Sequence, residues 1–136
     1  LENLRNQISP HFLFNSLNTL MNLIPKDQDR AMSYLSKLSK FYRYTVSNQD
    51  EPLVPISTEV ENATTYADLL HERFGKNITI TLECTSANGK MTLPLSLQLL
   101  IENAVKHNIV SKSKPLHINI YCADDGYIHV ENNLQP

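Results

Sequence analysis

The stretch that decides the fold is Gln7-Ile-Ser-Pro-His-Phe-Leu-Phe-Asn-Ser-Leu-Asn18, in which a histidine directly follows a proline inside a helical pattern. Residues three or four apart lie on the same face of a helix, and that face is formed here by Gln7, His11, Asn15 and Asn18. The simplest interpretation of such a face is that the histidine and the amides are solvated and have no functional role. Because the amides align with the histidine where a packing helix carries leucine, the pattern favours a functional face instead.

The apolar spacing changes register near Pro10. Before it, leucine and isoleucine follow one seam of a paired helix. After it, the spacing restarts about 200° away at Leu13, Leu17, Leu20 and Ile24. A proline inside a helix removes one backbone hydrogen bond and favours a kink. We therefore predict a bent helix over residues 1–24 that keeps His11 outside the core on a rigid element.

The segment Ser9–Asn18 resembles the phospho-acceptor box of the LytS-type sensor histidine kinases. The resemblance implies that His11 receives the γ-phosphate of ATP and passes it to an aspartate of a response regulator. Phe12 stands where many histidine kinases have an acidic residue, and phenylalanine cannot accept a proton. We therefore expect Asn15 to orient the imidazole and Gln7 to assist, since imidazole is largely neutral at pH 7 without a strong base.

A second chemical motif is Leu100-Ile-Glu-Asn-Ala-Val-Lys-His-Asn108, which lies on a predicted helix. Its polar side resembles the N-box of the ATPase fold shared by histidine kinases with chaperone-type and gyrase-type ATPases. The resemblance implies that Asn103 is a ligand of Mg²⁺, that Lys106 contacts phosphate, and that Glu102 lies near the water ligands of the metal. His107 completes the candidate nucleotide-binding residues. Alone, the helix also fits a solvated face with one ion pair.

The predicted elements give an α+β chain in two parts. Residues 1–47 form an antiparallel helical hairpin with the phospho-acceptor histidine, residues 48–55 form a linker, and residues 56–136 form a partial ATP-binding domain. A lone hairpin leaves its apolar stripes in water, so we expect a homodimer whose two hairpins form a four-helix bundle. The second part is expected to be a partial two-layer α/β sandwich of the histidine-kinase, chaperone and gyrase ATPase type.

Local patterns predict the elements of the second part. A helix opens at Ser57, with Thr58 and Glu61 as a capping box, and ends at Gly75. A strand follows over residues 78–84, and Pro94 suits the first turn of a helix that reaches about residue 109. Two strands over residues 116–123 and 127–131 then form a hairpin with its turn at residues 124–126.

Composition limits partners and location. The formal net charge of −2 lacks the basic excess of nucleic-acid-binding proteins, and no apolar run approaches the roughly 20 residues needed to span a bilayer. Cys84 and Cys122 have no CxxC spacing and are predicted to be reduced core residues of a cytosolic protein. We expect the cytoplasmic part of a bacterial inner-membrane protein. Its partners would be a second copy and a response regulator receiver domain, with neither nucleic acid nor membrane contacted by this segment.

The function that follows is that of an ATP- and Mg²⁺-dependent protein histidine kinase of a two-component system. The chain has only three glycines and lacks the glycine-rich boxes that follow the N-box in that family. We therefore take it as a fragment that is inactive alone, and the alternative is a non-catalytic dimerisation and response-regulator docking module. A metal hydrolase, suggested by His71 and Glu72, fails because position 75 is glycine rather than histidine. A chaperone-type or gyrase-type ATPase would share the N-box but not the histidine helix.

Overall fold

The computed structural model describes residues 9–84, 89–108, 110–122 and 127–133. The helices in these ranges are α1 (Pro10–Leu23), α2 (Gln28–Asn48), α3 (Ile56–Phe74) and α4 (Ser96–Lys106). The strands are β1 (Val54–Pro55), β2 (Ile78–Glu83), β3 (Met91–Thr92), β4 (Leu116–Cys122) and β5 (Ile128–Asn132). The predicted α+β class, with a helical hairpin followed by helices and a sheet, is confirmed.

The helix that carries the histidine begins at Pro10, so the predicted kink at this residue is wrong. Ser9 is an extended N-cap residue (φ −73°, ψ 121°), and its Oγ accepts a hydrogen bond from the Phe12 N–H at 3.2 Å. Proline suits the first helical position, where its missing N–H would have no intrahelical acceptor. His11 therefore lies in the first turn of α1. The part of the predicted helix before Ser9 lies outside the described residues.

The second helix of the hairpin begins at its own cap. Asp27 accepts a hydrogen bond from the Arg30 N–H at 3.1 Å, and α2 then buries a stripe formed by Ala31, Tyr34, Leu38, Phe41 and Thr45. Leu35, the residue after Tyr34, is exposed. Helix α2 therefore packs one narrow apolar face against the rest of the chain, and its other apolar residues lie at the surface.

The main sheet has three strands in the order β2-β4-β5. Strands β2 and β4 are parallel, with Ile78 opposite Leu116, whereas β4 and β5 are antiparallel, with Ile120 opposite Val130. Alternation along β4 buries Leu116, Ile118 and Ile120. Strands β1 and β3 form a separate antiparallel pair. The predicted turn at residues 124–126 lies outside the described residues.

Cys84 and Cys122 form a disulfide, so their prediction as reduced thiols is wrong. Glu83 pairs with Tyr121 across β2 and β4, and the next residue of each strand is therefore the cysteine. Their Cα atoms are 4.7 Å apart, within the range that a disulfide spans. The sequence spacing concealed this contact because it depends on the parallel register of two strands 38 residues apart.

Two helix starts differ from their prediction. The capping box at Thr58 and Glu61 is wrong, because α3 begins two residues before Thr58 with Pro55 as its cap residue and without a side-chain cap. The fourth helix begins at Ser96, and Leu95 precedes it with a left-handed backbone (φ 64°) that is unusual for a non-glycine residue. The predicted end of α3 at Gly75 is confirmed, since this glycine is its C-cap with φ 59°.

One continuous apolar core joins the hairpin to the helices and sheet that follow it. Phe41 of α2, Tyr66 of α3, Ile101 of α4 and Ile118 of β4 all belong to this cluster. Helix α3 therefore packs on both the histidine helix and the sheet, whereas α2 packs on the histidine helix and on α3. The division into a hairpin, a linker and a partial ATP-binding domain stays a prediction.

Candidate functional site

Phe12 fixes the orientation of the histidine helix. Its ring centroid lies 5.4 Å from that of Phe41 and 5.2 Å from that of Tyr66, both with edge-to-face geometry that favours aromatic packing. Because Phe12 points into the core, the preceding side chain of His11 is left exposed, as predicted. Phe14 lies three residues after the histidine and is 65% exposed.

Glu59 of α3 anchors the start of the helix that carries the N-box. Its side chain is 1% exposed. Its carboxylate accepts hydrogen bonds from the Leu95 N–H at 3.0 Å, the Leu97 N–H at 3.3 Å and the Ser96 hydroxyl at 3.3 Å. A negative charge at a helix N-terminus is also favoured by the helix dipole. This carboxylate therefore caps α4 and supports the left-handed conformation of Leu95.

The same carboxylate connects the N-box helix to the hairpin. Tyr44 of α2 donates its hydroxyl hydrogen to Glu59 Oε2 at 2.6 Å. Burial, and then this hydrogen bond, raise the pKa of Tyr44, so the phenol remains a donor. Three helices are thereby joined at one buried acceptor.

A second buried contact joins the same three helices. Gln98 of α4 accepts a hydrogen bond from the Asn62 amide at 2.9 Å, and the Thr45 hydroxyl lies 3.4 Å from the same oxygen. All three residues are almost fully buried. Buried polar groups stabilise a fold only when they are paired, so this contact specifies how α2, α3 and α4 pack.

The histidine and the N-box helix line one open cavity of about 470 Å³. This volume lies within the usual range of small-molecule sites. The polar or charged residues of its wall are Ser9, His11, Tyr66, Arg73, Glu102, Lys106 and Asn108. The apolar residues of its wall are Phe12, Leu70, Phe74, Val105 and Val110. The two motifs predicted from the sequence therefore meet within a single chain.

The charged groups of the cavity favour an anion. Arg73 and Lys106 contribute two cationic side chains, whereas Glu102 is the only carboxylate among the described residues that line the cavity. Burial raises the pKa of Glu102, and the opposite charge of Lys106 partly offsets that rise. The first turn of α1 adds the positive end of a helix dipole beside His11.

The predicted site residues occupy different positions around this cavity. His11, Glu102 and Lys106 line it, whereas Asn103 and His107 are exposed on α4 and do not. Asn15 is half-buried one turn after His11, and its amide nitrogen is buried without a hydrogen-bond partner among the residues described. Gln7 lies outside the described residues. The roles assigned to all of these residues stay predictions.

Two further residues shape the site: Glu59, to which the sequence assigned no role, and Arg73, for which it suggested only a contact with a carboxylate or a phosphate. Glu59 falls four residues before Ala63 and three after Ile56, so it interrupts an apolar stripe of α3 with a charge. That interruption was a signal that the carboxylate has a buried partner. Arg73 carried no comparable signal, because its place in the cavity depends on how α3 packs against α1 and α4.

Comparison with known proteins relates the chain to bacterial signalling kinases. A sequence model described as histidine kinase matches residues 1–78. A sensor protein LytS of Enterococcus faecalis is 30% identical over 135 residues, which cover 89% of this chain and 23% of the relative. The sensor protein LytS of Streptococcus mutans is 36% identical over 124 residues, which cover 90% and 21%. That of Oceanobacillus iheyensis is 34% identical over 128 residues, which cover 92% and 22%.

The chain spans less than a quarter of the length of these relatives. Within the ranges that the structure describes, no helix combines the length and apolar character needed to cross a bilayer. The same ranges contain no group of three or more His, Cys, Asp or Glu side chains arranged to hold a metal ion.

Proposed function

This chain belongs to the histidine kinase family, and its relatives are LytS-type sensor proteins. We propose that, within its intact protein, it accepts the γ-phosphate of ATP on His11 and passes it to an aspartate of a response regulator. The observation that carries this proposal is the shared cavity, in which His11 faces the same space as Lys106 and Glu102 of the N-box helix.

The proposed transfer is an in-line displacement. An unprotonated ring nitrogen of His11 attacks the γ-phosphorus, the bond from that phosphorus to the bridging oxygen breaks, and ADP leaves. Lys106 offsets negative charge on the phosphate oxygens. The positive end of the α1 helix dipole then favours the phosphoryl group that has arrived on the histidine, because helix N-termini stabilise anions.

The residues of the N-box helix also fit a magnesium ion. Asn103 offers an exposed amide oxygen next to Glu102. Mg²⁺ commonly takes only one or two protein oxygens and completes its shell with water and substrate phosphates. When bound, the ion neutralises charge on the β- and γ-phosphates. This arrangement supports Asn103 as the proposed magnesium ligand and Glu102 as a group near its waters.

The exposed apolar stripe of the hairpin supports the proposed homodimer. Four residues at one-turn spacing on the histidine helix and its end are partly or largely exposed: Leu13, Leu17, Met21 and Ile24. Met32 and Leu35 of α2 add to this surface. A soluble helix rarely leaves such a stripe in water, and pairing with a second hairpin would bury it in a four-helix bundle.

Response regulator docking uses the surface around the histidine in this proposal. Phe14 lies one helical turn from His11 and offers an exposed aromatic contact for a receiver domain. A cytoplasmic location is part of the same proposal, because receiver domains and ATP are found there.

The test of the proposed function is labelling of the full-length protein with γ-labelled ATP and Mg²⁺. We expect acid-labile label on the wild type and none on His11→Gln, because phosphohistidine is the product and glutamine has no nucleophilic ring nitrogen. Label on both proteins would assign the phosphate to another residue. Absence of label on both, in folded dimer, would favour the alternative of a non-catalytic docking module.

Asn15→Ala is expected to reduce the rate of His11 labelling while leaving the dimer folded. The Asn15 amide nitrogen makes no hydrogen bond within the described residues, so its loss removes little that holds the fold together. We expect the rate to fall by about tenfold or more, the loss typical of a group that orients a catalytic side chain. Labelling kinetics and urea denaturation measured side by side check this. An unchanged rate contradicts the orienting role, as does unfolding in parallel with the loss.

A further inference from the structure

Arg73 stands in the last turn of α3 and belongs to the wall of the cavity that His11 and Lys106 also line. The three side chains come from three different helices, and only packing of α3 between α1 and α4 brings them together. Partial burial lowers the pKa of Arg73, but a guanidinium remains protonated at any physiological pH. The cavity therefore holds a fixed positive charge that the N-box motif does not supply.

Among the residues that the structure describes, this charge has no counter-ion. The neighbouring carboxylate of Glu72 is occupied by Arg30, whose guanidinium nitrogen lies 2.6 Å and 3.1 Å from its two oxygens. Throughout the described part of the chain, Arg73 has neither an ion pair nor a hydrogen bond. Its guanidinium instead lies over the Phe74 ring, 4.5 Å from the centroid. That contact fixes the plane of the group and leaves its N–H donors available.

The geometry and charge point to an oxyanion as the partner of this group. The planar fork of an arginine matches two oxygens of one phosphoryl group, whereas a lysine acts as a point charge. Arginine groups aimed at a transferring phosphoryl group stabilise the charge that spreads over its oxygens in the transition state. The single negative charge of Glu102 does not balance the two positive charges of Arg73 and Lys106, so binding of an anion in the cavity is favourable.

We propose that Arg73 binds the oxygens of the phosphoryl group as it moves from the nucleotide to His11. This inference rests on the proposed kinase function and adds a catalytic residue from outside both sequence motifs. In the step, one phosphorus–oxygen bond breaks and one phosphorus–nitrogen bond forms. ADP carries away the electron pair, and the second ring nitrogen releases its proton to solvent. Arg73 exchanges no proton and contributes only electrostatic stabilisation.

The experiment compares three variants of the full-length protein: Arg73→Gln, Arg73→Lys and the control Arg43→Gln. Arg43 is an exposed cation on α2 that does not line the cavity. Two quantities are measured for each variant, the single-turnover rate of His11 labelling at saturating ATP and the equilibrium affinity for ADP. ADP lacks the phosphoryl group that Arg73 is proposed to hold, so its affinity reports on the integrity of the rest of the site.

We expect Arg73→Gln to slow labelling by about 100-fold, the effect of removing one donor from an oxyanion site. Its affinity for ADP should stay within about twofold of the wild type. The labelling rate of Arg73→Lys should lie between the rates of the wild type and Arg73→Gln, because lysine keeps the charge but lacks the planar fork. Arg43→Gln should label at the wild-type rate. Intact ADP binding also shows that a variant is folded, so a slower labelling rate cannot be attributed to unfolding.

Three results would overturn the assignment. They are a labelling rate for Arg73→Gln within about twofold of the wild type, a parallel loss of ADP affinity, and equal slowing by Arg43→Gln. A wild type that takes no label contradicts the proposed kinase function instead. The two failures are therefore distinguishable.

Discussion

A heterodimer that carries His11→Gln in one subunit and Asn103→Ala in the other should take no label from ATP. The reason is the shared cavity, in which His11 and the N-box helix of the same chain face one space. If each histidine is phosphorylated by its own N-box, the subunit with an intact histidine lacks Asn103, the proposed magnesium ligand. The other subunit has the ligand but lacks the nucleophile.

The matched control places both substitutions in one subunit and leaves its partner wild type. This heterodimer contains the same two altered side chains, yet we expect one label on its wild-type subunit. Two affinity tags allow each heterodimer to be purified and the labelled chain to be identified. Transfer between subunits predicts the opposite pair of results, with label on the first heterodimer and none on the second.

Glu59→Ala should cause the largest loss of stability among single substitutions of polar residues in this chain. The carboxylate accepts hydrogen bonds from two backbone N–H groups and two hydroxyls, and it is 1% exposed. Alanine leaves the donors of Leu95 and Leu97 buried and unpaired. Each unpaired donor of a formerly charged hydrogen bond costs about 1–3 kcal/mol. We expect the free energy of unfolding to fall by about 3–4 kcal/mol.

Glu61→Ala is the control for this measurement. Glu61 lies two residues further along α3 and forms an exposed ion pair with Lys40 at 3.0 Å. Exposed pairs contribute little, so its loss should cost less than about 0.5 kcal/mol. Urea denaturation followed by circular dichroism gives both values. Equal values for the two variants would contradict the capping role of Glu59.

The sequence predicted the elements of the fold well where periodicity alone decides them. The two hairpin helices, the strand after Gly75 and the strand pair near the end of the described chain all follow from spacing. The starts of helices are predicted less well, because they depend on capping residues rather than on apolar spacing. The sequence predicts a kink at Pro10, whereas Ser9 caps the helix there, and it predicts a capping box at Thr58, whereas α3 starts at Ile56.

The spacing of residues in the sequence does not predict contacts between elements that are distant in the chain. The Cys84–Cys122 disulfide depends on the parallel register of two strands, and the environment of Arg73 depends on the packing of three helices. The resemblance to known kinases placed His11, Glu102 and Lys106 in one functional unit, and these three line the cavity. It could not place Asn103 within that cavity, since the side of α4 that faces α1 is set by tertiary packing.

The oxygen of Gln98 limits how the hairpin can turn. Thr45 on α2 and Asn62 on α3 both lie within reach of that single acceptor on α4. Rotation of α2 by one residue is about 100°, which would replace the Thr45 hydroxyl with a side chain of different polarity. Asn62 would still donate to the Gln98 oxygen after such a rotation, so the rotation would cost the fit of a small buried side chain against Gln98 rather than the only hydrogen bond of that acceptor. A rotation of α2 would therefore act on α4 through its first turn, where Gln98 lies.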